Sequence, residues 1–190
     1  MDAAAQDAER ILAETGDPQL ADFRLDRAYF EELLSLAEST KCAYLVGYVR
    51  AMIDAANLRS LVRTLRMHKD AAFLRRVLFE GGTVSVSELM RRGPGGNVAE
   101  LFRSTVLRDA AAAGEQAVGG GSLTEFEKLC DDAVLLTAGK ARRVPFGVEV
   151  AIGYVAAREA ELTAVRIVMS GLMAGIPAGT IRERLRESYV

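Results

Sequence analysis

The sequence predicts an all-α protein, and three observations carry that reading. Half of its 190 residues are apolar, yet it has no Trp and only four Pro, a composition with abundant Ala, Leu, Arg and Glu that favours helices over a β-sandwich. Apolar residues recur at three- and four-residue steps in one segment after another. Glycines and prolines fall in clusters between those segments. A chain of this length buries roughly 70% of its unfolded surface in one or two compact domains, which excludes a disordered tail. Its 24 Lys and Arg against 26 Asp and Glu give a net charge of -2, which argues against a globally basic nucleic-acid binder.

Each element follows from local signals. A first helix is predicted from about Ala3 to Glu14, ended by Gly16-Asp17-Pro18, with a short second piece after it. Leu25, Tyr29, Leu33 and Leu36 then line one face of a helix over Leu25 to Glu38, leaving Asp26, Glu31 and Glu32 in solvent. From about Cys42 to Met67 a long helix has two apolar sides, one through Leu45, Val49 and Met52, the other through Leu58, Leu61, Val62 and Leu65. It should therefore touch neighbours on both. Past the turn at His68 to Asp70, Phe73, Leu74, Val77 and Leu78 mark a short helix ended by Gly81-Gly82. Ser87, or Ser85, caps a minor helix through Arg92.

Gly93-Pro94-Gly95-Gly96-Asn97 reads as the most flexible point, followed by a helix bearing Leu101, Phe102, Val106 and Leu107. After Gly119-Gly120-Gly121, Ser122 with Glu125 forms a capping box for a helix to about Arg143, which Pro145 stops. A long helix over Val148 to Ala174, a break at Gly175-Ile176-Pro177 and a short helix to Ser188 complete the chain. No uninterrupted apolar stretch reaches the ~18 residues of a membrane span, and acids follow Met1 to Gln6 where a secretory signal would be apolar. Cys42 and Cys130 read as reduced core thiols, which points to a cytosolic setting.

The two halves echo each other at an offset of 107 residues (161 − 54): Asp54, Leu58, Arg59, Leu61, Leu74, Arg75 and Leu78 correspond to Glu161, Val165, Arg166, Val168, Ile181, Arg182 and Leu185. The predicted organisation is one helical repeat over 1-92, a flexible Gly-containing connection with a helix over 93-121, and a second repeat over 122-190.

No catalytic motif emerges. His68 is the one histidine, and neither cysteine has a neighbouring base, although a Cys-His dyad assembled by the fold stays open at this level. Three scattered N or S ligands do not make a zinc site, and neither glycine cluster carries the Gly-Lys-Ser or Gly-Lys-Thr of a phosphate loop. No metal or cofactor is expected. Arg59, Arg63 and Arg66 form one helical stripe, read either as a solvated face or as a partner-binding surface, preferably for an acidic protein. It has no aromatic side chains for stacking on bases, which weighs against single-stranded nucleic acid. Glu159 and Arg166 interrupt the apolar stripe Val155, Leu162 and Met169; they are either buried polar or interface residues needing partners, or snorkel from a partly exposed edge.

These motifs together resemble a known family. Leu25-Asp26-Arg27-Ala28-Tyr29-Phe30, Gly47-Tyr48-Val49 through Asp54, Asn57-Leu58-Arg59 and Arg75-Arg76-Val77-Leu78 to Gly81-Gly82 look like the middle repeat of the C subunit of prokaryotic V/A-type rotary ATPases, equivalent to the d subunit of the eukaryotic V-ATPase. Ala141-Arg142-Arg143-Val144-Pro145-Phe146-Gly147, Glu159-Ala160-Glu161, Arg166-Ile167-Val168, Gly175-Ile176-Pro177 and Ile181-Arg182-Glu183-Arg184-Leu185 resemble its closing repeat. One departure is Ala164-Val165-Arg166, which stands where the family tends to read Asn-Leu-Arg. The resemblance implies two of three repeats of a funnel-shaped fold, with a third expected before Met1.

It also implies a non-catalytic central-stalk socket, peripheral to the membrane, with rotor shaft subunits and the membrane rotor ring as partners and torque transmission as its task. The arginine stripe would then form part of the shaft surface, and its charge reversal would leave the free fold's melting temperature little changed. The other reading of the same helices is an adaptor or scaffold outside any rotary enzyme, with a concave peptide-binding surface.

Overall fold

The computed structural model describes residues 1–187, and among them the chain forms ten α-helices, two short 3-10 turns and no strand. Helix α1 (Asp2–Thr15) ends at Gly16, whose left-handed φ of 67° lets its N–H reach Leu12 O. The next residue, Asp17, caps α2 (Pro18–Ser39), accepting from Gln19 N–H at 2.9 Å, with Pro18 in the first turn where a missing donor costs nothing. The tripeptide thus closes one helix and opens the next. The expected short piece and the Leu25 to Glu38 helix are a single 22-residue helix.

Helix α3 (Ala43–Arg66) is the axis of the fold. One side, through Leu45, Val49 and Ile53, packs on Phe30, Leu33 and Leu34 of α2. The other, through Leu58, Leu61 and Val62, enters the main core with α7 (Arg108–Val118) and α8 (Leu123–Ala138). Two apolar sides in sequence are two packed sides in space. The short α4 (Ala71–Val77) stops at Val77 and not at the glycines, because Leu78 is already extended. Ser85, not Ser87, caps α5 (Val86–Arg92), accepting from Glu88 N–H at 3.2 Å.

The segment after Arg92 departs from expectation. A 3-10 turn over Gly93–Gly95 leads to a one-turn α6 (Val98–Leu101), and α7 begins only at Arg108, so the predicted helix through Leu107 is broken. Thr105 breaks it: its hydroxyl donates to Phe102 O (2.9 Å) and accepts from Leu107 N–H (3.1 Å), offering the backbone an alternative to the helical ladder. Apolar residues of this segment enter the core. Gly93, Val98, Leu101, Phe102 and Leu107 are buried, and Gly114 lets α7 wedge between its neighbours, since a Cβ there would lie 2.8 Å from Val62 and 2.9 Å from Phe126.

Helix α8 opens with Ser122 accepting from Glu125 N–H (3.2 Å), as the capping box predicts, but ends at Ala138; the last turns to Arg143 are a 3-10 helix. Two helices follow, α9 (Val148–Met173) and α10 (Ala178–Arg184). Helix α10 stops at Arg184, short of the expected end at Ser188, because Leu185 is already extended.

The 107-residue offset recurs in backbone detail. Helices α3 and α9 end at 66 and 173, and α4 and α10 span 71–77 and 178–184. In the turn between them, Lys69 N–H donates to Thr64 O (3.0 Å) and Ile176 N–H to Gly171 O (2.9 Å); His68 to Leu65 O and Gly175 to Leu172 O (both 3.1 Å) repeat the match. His68 and Gly175 both take left-handed φ, 51° and 66°. Both short helices exit into extended backbone, at Leu78 and Leu185.

Candidate partner-binding surface

The groups weighed for catalysis do not converge. His68 and Cys42 flank the two ends of α3, a helix about 36 Å long. Cys130 is fully buried in the main core, and burial pushes its thiol up to about 12, so it is not a thiolate nucleophile. Cys42 Sγ lies 3.4 Å from Glu149 Oε1, its counterpart at the repeat offset. Among the described residues no group of His, Cys, Asp or Glu could hold a metal ion.

The arginine stripe exists as predicted, but it faces this chain's own carboxylates and carbonyls. Arg59 is mostly buried, with Nε 2.8 Å from Glu127 Oε2 and Nη2 on Asp131; Arg63, more exposed, reaches Glu127 Oε1 at 2.7 Å. Arg66 donates to Ala117 O (3.1 Å) and Gly121 O (3.0 Å), satisfying carbonyls at the end of α7. Beyond them Arg186 joins Asp131 at 2.6 Å, and Asp132 accepts from Lys128 and from Glu187 N–H. The stripe therefore fastens α3 to α7 and α8, and α8 to the final segment. Sequence reasoning missed the other half, Glu127 and Asp131. Their four-residue spacing on one helical face, matching Arg59 and Arg63, is the signal that could have found them.

Glu159 and Arg166 are not buried. Both are exposed, and neither forms a hydrogen bond or ion pair among the described residues. The reason is that the stripe they interrupt is itself open, Val155, Leu162 and Met169 being 50%, 53% and 57% exposed. Helix α9 turns small residues, Gly153, Ala156 and Gly171, toward the rest of the chain and leaves most of its large apolar side chains outside.

Between α2 and α9, with α3 as its floor, runs an open apolar groove. One hollow of about 290 Å³ is lined by Tyr29, Leu33, Leu36, Tyr48, Met52 and Val155; a second of about 320 Å³ adjoins it, sharing Tyr48, Met52 and Glu159. Burial, then the nearby Glu159 charge, raises the Tyr48 hydroxyl above its usual value, so the phenol stays neutral and serves as a hydrogen-bonding rim on an apolar wall. Tyr29 and Leu36 are large apolar side chains left exposed on that wall. Such an arrangement suits a protein segment better than a reaction.

The described residues are all-helical, with an open groove that is apolar and an arginine stripe paired within the chain. The sequence matches the family described as ATP synthase (C/AC39) subunit over residues 1–184, and the chain belongs to that family. It is 23% identical over 170 residues to the C subunit of the V-type sodium ATPase of Enterococcus hirae, an alignment covering 88% of this chain and 52% of that protein. The chain thus spans about half the length of the curated relative it matches. No solved structure matches it.

Proposed function

We propose that this chain acts as a non-catalytic central-stalk subunit of a V/A-type rotary ATPase, seated between the rotor shaft and the membrane ion-translocating ring and transmitting torque between them. The observation that carries the reading is the family match over residues 1–184. Among the described residues no helix is long and apolar enough to cross a membrane. Residues 1–92 and 122–190 serve as the middle and closing repeats, and 93–121, which sends Val98, Phe102 and Leu107 into the core, is the connection between them.

In this reading the shaft meets the α2, α3 and α9 groove; of the arginine stripe Arg59 lines its second hollow, while Arg63, the most exposed of the three, lies outside both hollows. The internal pairing of Arg59 and Arg66 supports a structural use of that part of the stripe. Placing a charge in the groove with Leu36→Arg, where the side chain is exposed, should weaken shaft binding about tenfold or more while leaving the fold intact. Calorimetric titration of the chain with purified shaft protein, and pull-down with ring protein, is the measurement. If neither the parent chain nor the variant binds shaft or ring, the reading fails.

A further inference from the structure

The groove between α2 and α9 carries one charge that nothing in the chain answers. In its first hollow Glu159 is the only charged lining residue, and the same side chain lines the second hollow, so it stands where the two meet. The second hollow also holds Arg59, Asp131 and Arg186, but these are matched: Arg59 pairs with Glu127 and Asp131, and Arg186 with Asp131. Two guanidiniums against two carboxylates leave no excess. Glu159 is exposed and forms no hydrogen bond or ion pair among the described residues, which leaves the groove with a single uncompensated negative charge.

That charge matters because filling the groove changes its surroundings. In the open groove water solvates the carboxylate; under a segment that occupies both hollows it lies among Tyr48, Met52 and Ala156, which border both hollows with it and offer one donor, the Tyr48 hydroxyl. One donor does not satisfy two carboxylate oxygens, and a carboxylate taken out of water without a partner is strongly disfavoured. Neither guanidinium of the second hollow can turn to Glu159 without abandoning Asp131 or Glu127. The compensating group has to come with the occupant.

We infer that the shaft segment seated here is a helix with a large apolar side chain in each hollow and, between them, a lysine or arginine whose charge meets Glu159. A groove with helices for both walls and floor is the shape an amphipathic helix fills, and its apolar anchors supply the contact area. The ion pair between the anchors fixes the register, because a slip of one turn would set an apolar side chain on the carboxylate. This rests on the reading of the groove as the shaft site and specifies what the shaft presents to it.

Calorimetric titration of the full chain with purified shaft protein, at about 50 and about 500 mM salt, tests it, with Leu36→Arg reporting on the groove itself. Glu159→Gln should weaken binding about tenfold at the lower salt and flatten the salt dependence, and Glu159→Arg should weaken it further. Among shaft variants with single lysines or arginines changed to Glu, one should restore binding to Glu159→Arg. The melting temperature of the free chain should stay unchanged in both Glu159 variants, since the side chain holds nothing within it. If Leu36→Arg weakens binding while Glu159→Gln leaves it unchanged or tighter, the groove stands and the facing cation is overturned. If Leu36→Arg has no effect, the groove reading itself fails and this inference falls with it.

Discussion

Asn57 is the position where one side chain should decide the most. It is fully buried on α3, its amide Nδ2 donates to Phe79 O and its Oδ1 accepts from Phe79 N–H, both at 2.8 Å. The amide thus completes both hydrogen bonds of a residue lying outside any helix or sheet, in the extended stretch after α4. Replacing Asn57 by Ala removes both bonds and leaves a buried N–H and a buried C=O without partners. Each orphaned group costs about 1–3 kcal/mol, less whatever water recovers, so a loss of roughly 2–4 kcal/mol is expected, a large part of the total stability of such a domain.

Two measurements check this. Urea denaturation at neutral pH should show the lower midpoint with little change in slope. Hydrogen exchange should show the Phe79 amide losing protection well beyond the global change. Asn57→Asp should be at least as damaging, because it keeps the acceptor but presses a carboxylate oxygen on the Phe79 carbonyl. A stability loss below about 1 kcal/mol, with the Phe79 amide as protected as before, would refute the clamp.

The arginine stripe and the second buried polar group of α3 give further expectations. Arg66→Glu should lower stability by about 1–2 kcal/mol, since it exchanges two donors on the carbonyl end of α7 for a negative charge, whereas Arg63→Glu should stay within about 1 kcal/mol. Chemical denaturation of both variants checks the difference, and equal effects would contradict it. Asp54, almost fully buried, accepts from Val84 N–H at 3.2 Å, and burial holds its carboxyl above the ordinary value of 3.8. Its contribution to stability is therefore complete below 3.8 and is lost as pH rises through the raised folded value. Asp54→Asn, which removes the charge and keeps an acceptor, should gain on the parent chain as pH climbs above 4 and then level off. Urea titrations at a series of pH values would show this, and a constant difference across them would contradict it.

What is legible in the sequence is what depends on neighbours a few residues away. Both long helices, their breaks and the short helices after them follow from apolar spacing and from Gly or Pro, and the 107-residue echo survives in individual hydrogen bonds. The break at Thr105 is invisible there, since Leu101, Phe102, Val106 and Leu107 fit a helical face and a single hydroxyl overrides them. The arginine stripe is visible as a stripe, but its partners are 51 to 72 residues away, so local spacing suggests exposure where pairing occurs. Glu159 and Arg166 mislead the other way, because apolar periodicity shows that a helix has a face without showing that the face is covered.

The difference between the two repeats follows from the same few side chains. In the first, Asp54 and Asn57 hold the backbone leaving α4 at Val84 and Phe79, and the chain then runs on through α5 to α7 and α8, which close over α3. In the second, Glu161 stands in place of Asp54 and is spent on Arg158 at the surface, while Ala164 in place of Asn57 has nothing to offer the backbone. The segment leaving α10 is held elsewhere: Arg186 pairs with Asp131, and Glu187 N–H donates to Asp132 at 2.7 Å. Loss of the clamp on α9 thus coincides with an exit anchored to α8. Two repeats of one architecture so differ in what they bury, a core around α3 in the first and an exposed apolar face on α9 in the second, where Ala164 stands at the position of Asn57.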